Sequence, residues 1–198
     1  MQKAGVVVFC LALALFPVST NAGPLEDSFK QAQEAYAAKR YDDAVGHFRN
    51  VADLLIKAKA NDKAQLVLGN VAVIQMTTEK YADAVETYEK ALGLSRKTSS
   101  DFLTKAYRNL AVCHTRLGNN ALKAAALQKL VQSKPKLPTA EFSDIHAQLG
   151  DAYRALELYG KAATAYEKAN SLLPGNVNPE TRGRILTALG LCQGNIGE

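Results

Sequence analysis

Apolar and polar positions alternate along this 198-residue chain at helical spacing, in phrases that recur. Residues 41–48 (YDDAVGHF), 81–88 (YADAVETY) and 159–166 (YGKAATAY) each hold an aromatic residue, an alanine three places later and an aromatic four places after that. This spacing puts the three side chains on one face of an amphipathic helix. Another helix-like stretch precedes each phrase. The pattern therefore predicts pairs of helices joined by short turns.

Small residues stand at positions where a larger apolar side chain would bury more area. In residues 147–176 they are Gly150, Ala162 and Ala169. Small side chains let two packed helices approach closely. A leucine at Gly150 or Ala162 would overpack that contact, at a cost of about 1–3 kcal/mol. The sequence therefore predicts close contacts between the helices of a pair and between neighbouring pairs.

These phrases resemble the tetratricopeptide repeat, a helix-turn-helix unit of about 34 residues. Four and a half units can be aligned, and the eighth residue of every unit is small: Ala32, Ala72, Ala111, Gly150 and Gly190. The units start near residues 25, 65, 104, 143 and 183. The resemblance implies an all-α fold, a right-handed α-solenoid of helix-turn-helix repeats over residues 23–198.

The units are spaced by 39 or 40 residues, so each is longer than the usual repeat. Good N-cap residues lie 39 apart between them, at Asn61, Ser100, Thr139 and Asn178. We therefore expect the first helix of each unit to begin about a turn early. In the third unit Lys123 replaces the usual small residue, which leaves the register of that second helix open. Residues 183–198 are expected to form a single capping helix, with a truncated repeat as the alternative.

The first 22 residues differ from the rest of the chain. Lys3 precedes an apolar run of eleven residues, 6–16, which a proline and small residues then follow. This order is typical of a secretory signal peptide cleaved after Ala22, and a buried N-terminal helix is the alternative. The run is too short to span a bilayer about 30 Å thick. The expected location is therefore the periplasm of a bacterium, or the outside of another cell.

Composition and charge narrow the classes of partner. Hydrophobic residues make up 47% of the chain and charged residues 22%, as in ordinary packed proteins. The net charge of +5 is spread among acidic residues instead of being clustered, which argues against nucleic-acid binding. Beyond residue 22, no apolar run reaches membrane-spanning length. We therefore expect a protein or peptide partner, and no membrane span.

The residues that could carry chemistry have structural interpretations. No nucleophile, phosphate-loop or metal-ligand motif is present, so neither catalysis nor a cofactor is expected. His114 and His146 fall at core positions of the pattern, whereas His47 is expected at the surface. Cys113 and Cys192 occupy equivalent places two units apart, which implies about 20 Å between them. A disulfide needs Cα atoms within about 7 Å, so two free thiols are expected.

In the tetratricopeptide repeat family the first helices line a concave groove, and the resemblance places eleven residues of this chain there. The partner-binding candidates are Asn70, Val73, Met76, Lys105, Arg108, Asn109, Val112, Arg116, Asp151, Arg154 and Arg184. Asparagine can donate to and accept from a peptide backbone, and the cations suit a carboxylate. The alternative is an ordinary solvated helix face, with the cations balanced by neighbouring aspartates.

The sequence is compatible with three functions from different classes. The leading hypothesis is an exported, non-catalytic scaffold that binds a peptide segment or partner protein in its concave groove. The alternative is a structural protein that self-assembles end to end into homo-oligomers. An enzyme would require a catalytic domain beyond Glu198.

Overall fold

The computed structural model describes residues 23–95 and 98–196, and the expected signal peptide lies outside these ranges. Within them the chain forms nine α-helices and no strand. The helices are α1 (Pro24–Ala37), α2 (Tyr41–Lys57), α3 (Asn61–Thr77), α4 (Tyr81–Gly93), α5 (Ser100–Arg116), α6 (Asn120–Gln132), α7 (Thr139–Arg154), α8 (Tyr159–Leu172) and α9 (Pro179–Ile196). The predicted all-α architecture of helix-turn-helix repeats is confirmed.

The chain divides into two compact units. Unit 1 ends at Cys113 and holds α1 to α4 with most of α5. Unit 2 begins at His114 and holds the end of α5 with α6 to α9. In unit 1 each of α1, α2 and α3 packs on the helix that follows it, and in unit 2 the same holds for α6, α7 and α8. Odd-numbered helices are the first helices of the repeats and even-numbered ones the second helices.

The repeated phrase forms the core face of the second helices. Its closing aromatics, Phe48, Tyr88 and Tyr166, are at most 1% exposed. The alanines four places earlier are buried without exception. The sixth helix keeps this register, because Leu127 and Leu130 are buried although Lys123 is only half-buried. The open question about the third unit is thus resolved in favour of the regular alignment.

Gly150 lies in the core, where the neighbouring Tyr166 ring leaves no room for a side chain. A Cβ at this residue would lie 2.7–2.9 Å from three atoms of the Tyr166 ring. Those distances are well inside van der Waals contact, and the ring is itself completely buried. The glycine is therefore required by the close approach of α7 and α8.

The turns between the two helices of each repeat share one backbone feature. Lys39, Glu79, Gly118 and Glu157 occupy the same place in successive turns, with φ of 58°, 60°, 70° and 59°. The residue after each of them donates its N–H to a carbonyl five places back, as in Arg40 to Ala35 and Leu158 to Tyr153, at 2.9 Å in both. This is the hydrogen bond that closes a helix around a left-handed residue.

The helix starts agree with the sequence, but three of the four predicted N-caps are wrong. Asn61, Ser100 and Thr139 are the first residues of their helices and not the caps. Ser99 Oγ accepts from the N–H of Phe102 at 3.1 Å and so caps α5. Asn61 instead donates to the carbonyl of Leu94 at 3.1 Å, which ties α3 to the end of α4. Asn178 is the confirmed cap, since its Oδ1 accepts from Glu180 N–H at 2.9 Å.

Candidate functional site

In unit 1 the predicted groove residues lie on α3 and α5 and differ in accessibility. Val73 and Val112 are half-buried, whereas Met76 is 3% exposed and belongs to the core. Asn70 is 8% exposed, and its Oδ1 has no hydrogen-bond partner within the described chain. The face of α3 therefore offers one buried amide acceptor beside an apolar side chain.

Asn109 is placed differently from the sequence expectation. Its side chain has no exposed surface, and its Nδ2 donates to the Tyr88 hydroxyl at 2.7 Å. The expectation that this amide lies outside the core is wrong, because it satisfies the only polar atom of a buried tyrosine side chain. Burial raises the pKa of Tyr88 far above its usual range, so the hydroxyl remains protonated.

The two cations of unit 1 remain near the surface. Lys105 forms a salt bridge with Asp101 at 2.8 Å on the same helix, and its side chain is 25% exposed. Arg108 is half-buried on the same helix. The Asp101 side chain is 73% exposed, so solvent screens this pair and its contribution to stability is small.

In unit 2 three predicted residues, Asp151, Arg154 and Arg184, come together around Tyr166. The Tyr166 hydroxyl donates to Asp151 Oδ1 at 2.7 Å. Arg184 Nη1 lies 3.7 Å from Asp151 Oδ2, which links α9 to α7. The neighbouring Tyr166 hydroxyl, with a smaller contribution from Asp151, raises the pKa of the Arg154 guanidinium. We call these four residues the Asp151 cluster.

The Asp151 cluster is more positive than its single carboxylate can balance. Arg154 is exposed, and the Arg184 side chain is 53% exposed. Burial, followed by the hydrogen bond to Asp151, raises the pKa of Tyr166 to about 12, so the hydroxyl is neutral at pH 7. Two guanidinium groups therefore face solvent beside one carboxylate that already accepts two contacts.

Tyr166 was missing from the predicted site. The sequence treats it only as a buried aromatic, and its ring is indeed buried, while its hydroxyl reaches the polar face of α7. The sequence contained one indication of this role: Asp151 directly follows Gly150, the residue against which the Tyr166 ring packs. Arg116, the last predicted residue, is exposed at the end of α5.

Two open grooves run between successive second helices, one in each unit. The α4 groove, about 400 Å³, is lined by Arg49, Leu68, Asp83, Glu86, Thr87 and Lys90. The α8 groove, about 600 Å³, includes Gln128 of α6, His146, Leu149 and Tyr153 of α7, and Lys161 and Lys168 of α8. They occupy equivalent places in their repeats, because His146 aligns with Leu68 and Lys168 with Lys90.

The remaining reactive side chains are buried or isolated. Cys113 and Cys192 are buried free thiols. Burial raises the pKa of Cys113 to about 12, which makes it a poor nucleophile at neutral pH. His114 and His146 are buried, as predicted from their core positions. Across residues 23–95 and 98–196 there is no group of three side chains suited to a metal ion.

Comparison with known proteins agrees with this architecture. Family models described as "Tetratricopeptide repeat" match residues 29–101, 74–138 and 143–176. These matches cover more than half of the chain, which therefore belongs to the tetratricopeptide repeat family. None of its described helices combines the length and apolar character needed to cross a membrane.

Individual relatives are more distant. A stretch of 106 residues is 30% identical to the protein STIP1 homolog of Dictyostelium discoideum, covering 52% of this chain but only 17% of that protein. A crystal structure of the MamA protein superposes with a TM-score of 0.59 at 22% identity, covering 88% of this chain and 83% of that one. BtubC from P. vanneervenii gives 0.54 at 18% identity, covering 88% and 83%. At these identities the structures support the fold alone.

Proposed function

We propose that this chain is an exported, non-catalytic scaffold that binds a carboxylate-bearing peptide segment of a partner protein along its first helices. The repeats and their relatives support a protein–protein interaction scaffold in general, and this family is typically non-catalytic. Export, the binding surface and the chemistry of the segment are the parts that we add.

The Asp151 cluster carries the proposal. Arg154 and Arg184 project from neighbouring first helices and share one aspartate, so a net positive charge remains at the surface. The Tyr166 hydroxyl donates to Asp151 Oδ1 at 2.7 Å, which holds the carboxylate beside Arg184. Guanidinium groups bind carboxylates through paired hydrogen bonds. A partner's acidic side chain or terminal carboxylate is therefore the chemistry that this surface fits best.

Capture experiments with matched variants test the binding surface. The immobilised chain retains its partner from the exported fraction of its host, and Arg154→Ala/Arg184→Ala loses it. The control Arg49→Ala/Lys57→Ala removes the same charge from exposed positions on α2 in unit 1. Equal retention by both double variants would contradict the proposal. Because exposed cations act mainly on the association rate, retention should also fall as salt rises.

The first 22 residues support export, because a positive charge, an apolar run and small residues follow one another in the order typical of a signal peptide. Mass spectrometry of the protein recovered from its natural host should find Gly23 as the N-terminal residue, in the periplasm of a bacterium or in the medium. An intact N-terminus in the cytoplasmic fraction would contradict export without affecting the binding surface.

Self-assembly is the second candidate, and exposed apolar side chains along α9 favour it. Leu186, Leu191 and Ile196 are 45%, 57% and 55% exposed, whereas Ile185 and Cys192 on the same helix are buried. Exposed apolar side chains of this size on one helix suit contact with another copy. Light scattering that measures the molar mass across a hundredfold range of protein concentration tests this function. A constant monomer mass would exclude it. In an oligomer, Leu186→Lys/Leu191→Lys should restore the monomer.

A further inference from the structure

The α8 groove differs from the α4 groove in charge. Lys161 and Lys168 line the α8 groove, and neither has an ion-pair partner among the residues that the structure describes. None of the described residues lining this groove is acidic. In the α4 groove Asp83 and Glu86 accompany Arg49 and Lys90, so the charges balance. The α8 groove is therefore the positively charged one of the two.

The floor of the α8 groove is apolar. Leu149 and Tyr153 from α7 and Ala165 from α8 form it, and each is 6–7% exposed. Lys161 Nζ lies 5.8 Å from the centre of the Tyr153 ring, which places one cation directly above the floor. Gln128 of α6 lines the groove on the side opposite α8. A ligand bound in the groove would therefore contact an apolar floor and two cations, Lys161 and Lys168, at different positions along α8.

His146 supplies an independent sign of binding. It is 8% exposed in the wall of this groove, and its Nε2 has no hydrogen-bond partner in the described chain. The equivalent residue of the α4 groove is Leu68, which is 1% exposed. Leaving a buried polar atom unsatisfied is unfavourable, and an apolar residue serves the same position in unit 1. The imidazole ring packs against Phe142, with 4.9 Å between the ring centres, but this contact leaves Nε2 unsatisfied. A ligand that donates an N–H would supply the missing partner.

We propose that the α8 groove is a second binding site, distinct from the Asp151 cluster, that takes an acidic peptide segment in which a carboxylate neighbours an apolar side chain. Lys161 and Lys168 bind carboxylates, the apolar side chain rests on Leu149, Tyr153 and Ala165, and a small turn of the imidazole lets His146 accept a backbone N–H. A peptide fits better than a compact ligand because the groove is open and its cations are seven residues apart on one helix.

Binding of a defined probe tests this proposal in the full chain. The probe is an acetylated and amidated pentapeptide that alternates glutamate with leucine, and the control peptide has glutamine in place of glutamate. Titrations use the Arg154→Ala/Arg184→Ala background, so the outcome does not depend on the Asp151 cluster. We expect the acidic probe to bind and to shift the NMR signals of His146, Tyr153 and Ala165. The control peptide should bind about tenfold more weakly.

Three variants separate the proposal from a merely structural role. Lys161→Gln/Lys168→Gln should weaken binding of the acidic probe about tenfold, whereas Arg49→Gln/Lys90→Gln in the α4 groove should not change it. His146→Leu, which installs the side chain found at Leu68, should raise the melting temperature and weaken the probe several-fold. Equal affinity for both peptides, or no effect of the lysine changes, would overturn the site. Unchanged binding by His146→Leu would overturn the role of the imidazole.

Discussion

The ring of Tyr166 lies directly on the backbone of Gly150, where a Cβ would approach three ring atoms to within 2.9 Å. The hydroxyl of the same tyrosine donates to Asp151 at 2.7 Å. One missing methyl group therefore allows a buried aromatic side chain to pack against α7 and to position the carboxylate of the proposed binding surface.

Gly150→Ala is expected to destabilise the protein. The Tyr166 ring is completely buried and cannot move away cheaply, so the added methyl group should cost about 1–3 kcal/mol. Gly46→Ala is the matched control, because Gly46 is exposed within α2 and nothing lies within 4 Å of its would-be Cβ. That change should stabilise by about 0.5–1 kcal/mol. Urea unfolding measures both, and a gain at Gly150 would contradict the packing.

Asn109 and Tyr88 are expected to be coupled. Asn109→Ala leaves the buried Tyr88 hydroxyl without this donor, which should cost about 1–3 kcal/mol. Tyr88→Phe removes the hydroxyl and keeps the ring. In a double-mutant cycle the cost of Asn109→Ala should shrink in the Tyr88→Phe background. Additive free energies of unfolding would mean that the 2.7 Å hydrogen bond does not matter to stability.

Alkaline pH should weaken the protein partly through Tyr166. Its pKa is raised from an ordinary value near 10 to about 12, mainly by burial. The folded state therefore holds the proton more tightly than the unfolded state. This contribution is complete below pH 10 and is lost as pH rises from 10 towards 12. The free energy of unfolding should fall more steeply over that window in the wild type than in Tyr166→Phe, and parallel curves would refute the assignment.

The left-handed turns should respond in opposite directions to opposite substitutions. Gly118→Ala should cost about 1–2 kcal/mol, because φ is 70° and a side chain is strained in that conformation. No atom lies within 4 Å of the added methyl group, so a steric clash does not contribute to this cost. Glu157→Gly removes a side chain from the same conformation, with φ of 59°, and should stabilise by up to about 1 kcal/mol. Thermal unfolding compares them, and equal shifts in one direction would be inconsistent with backbone strain.

The spacing of small and aromatic residues predicted the fold, because these residues form the contacts between neighbouring helices. The small residues at Gly150, Ala44 and Ala162 are visible in the sequence; Gly150 lies at a close helix contact, and both alanines are completely buried. The turns could not be predicted in the same way. Of four equivalent left-handed residues, Gly118 alone is of a type that signals that conformation, because it has no side chain. In the other three, the hydrogen bonds of the turn override the local preference.

The candidate site was less predictable, since facing the groove and facing the core differ by a small rotation of a helix. Asn109 was assigned to the open face and lies in the core with Tyr88. Asp151, Arg154 and Arg184 were assigned to the same face and do meet. Their arrangement depends on Tyr166, whose polar end cannot be located until α7 and α8 are packed. The orphan nitrogen of His146 likewise emerges only from the folded structure.

Site-specific photo-crosslinking in the natural host tests the central claim most directly. A photoreactive residue in place of Thr187, one turn beyond Arg184 on α9, probes the surface of the Asp151 cluster. The same residue in place of Glu89, exposed on α4, is the control. We predict a discrete crosslinked partner at Thr187 that disappears with Arg154→Ala/Arg184→Ala and is absent at Glu89. No crosslink at Thr187, or one that survives loss of both arginines, would contradict a partner-binding surface on the first helices.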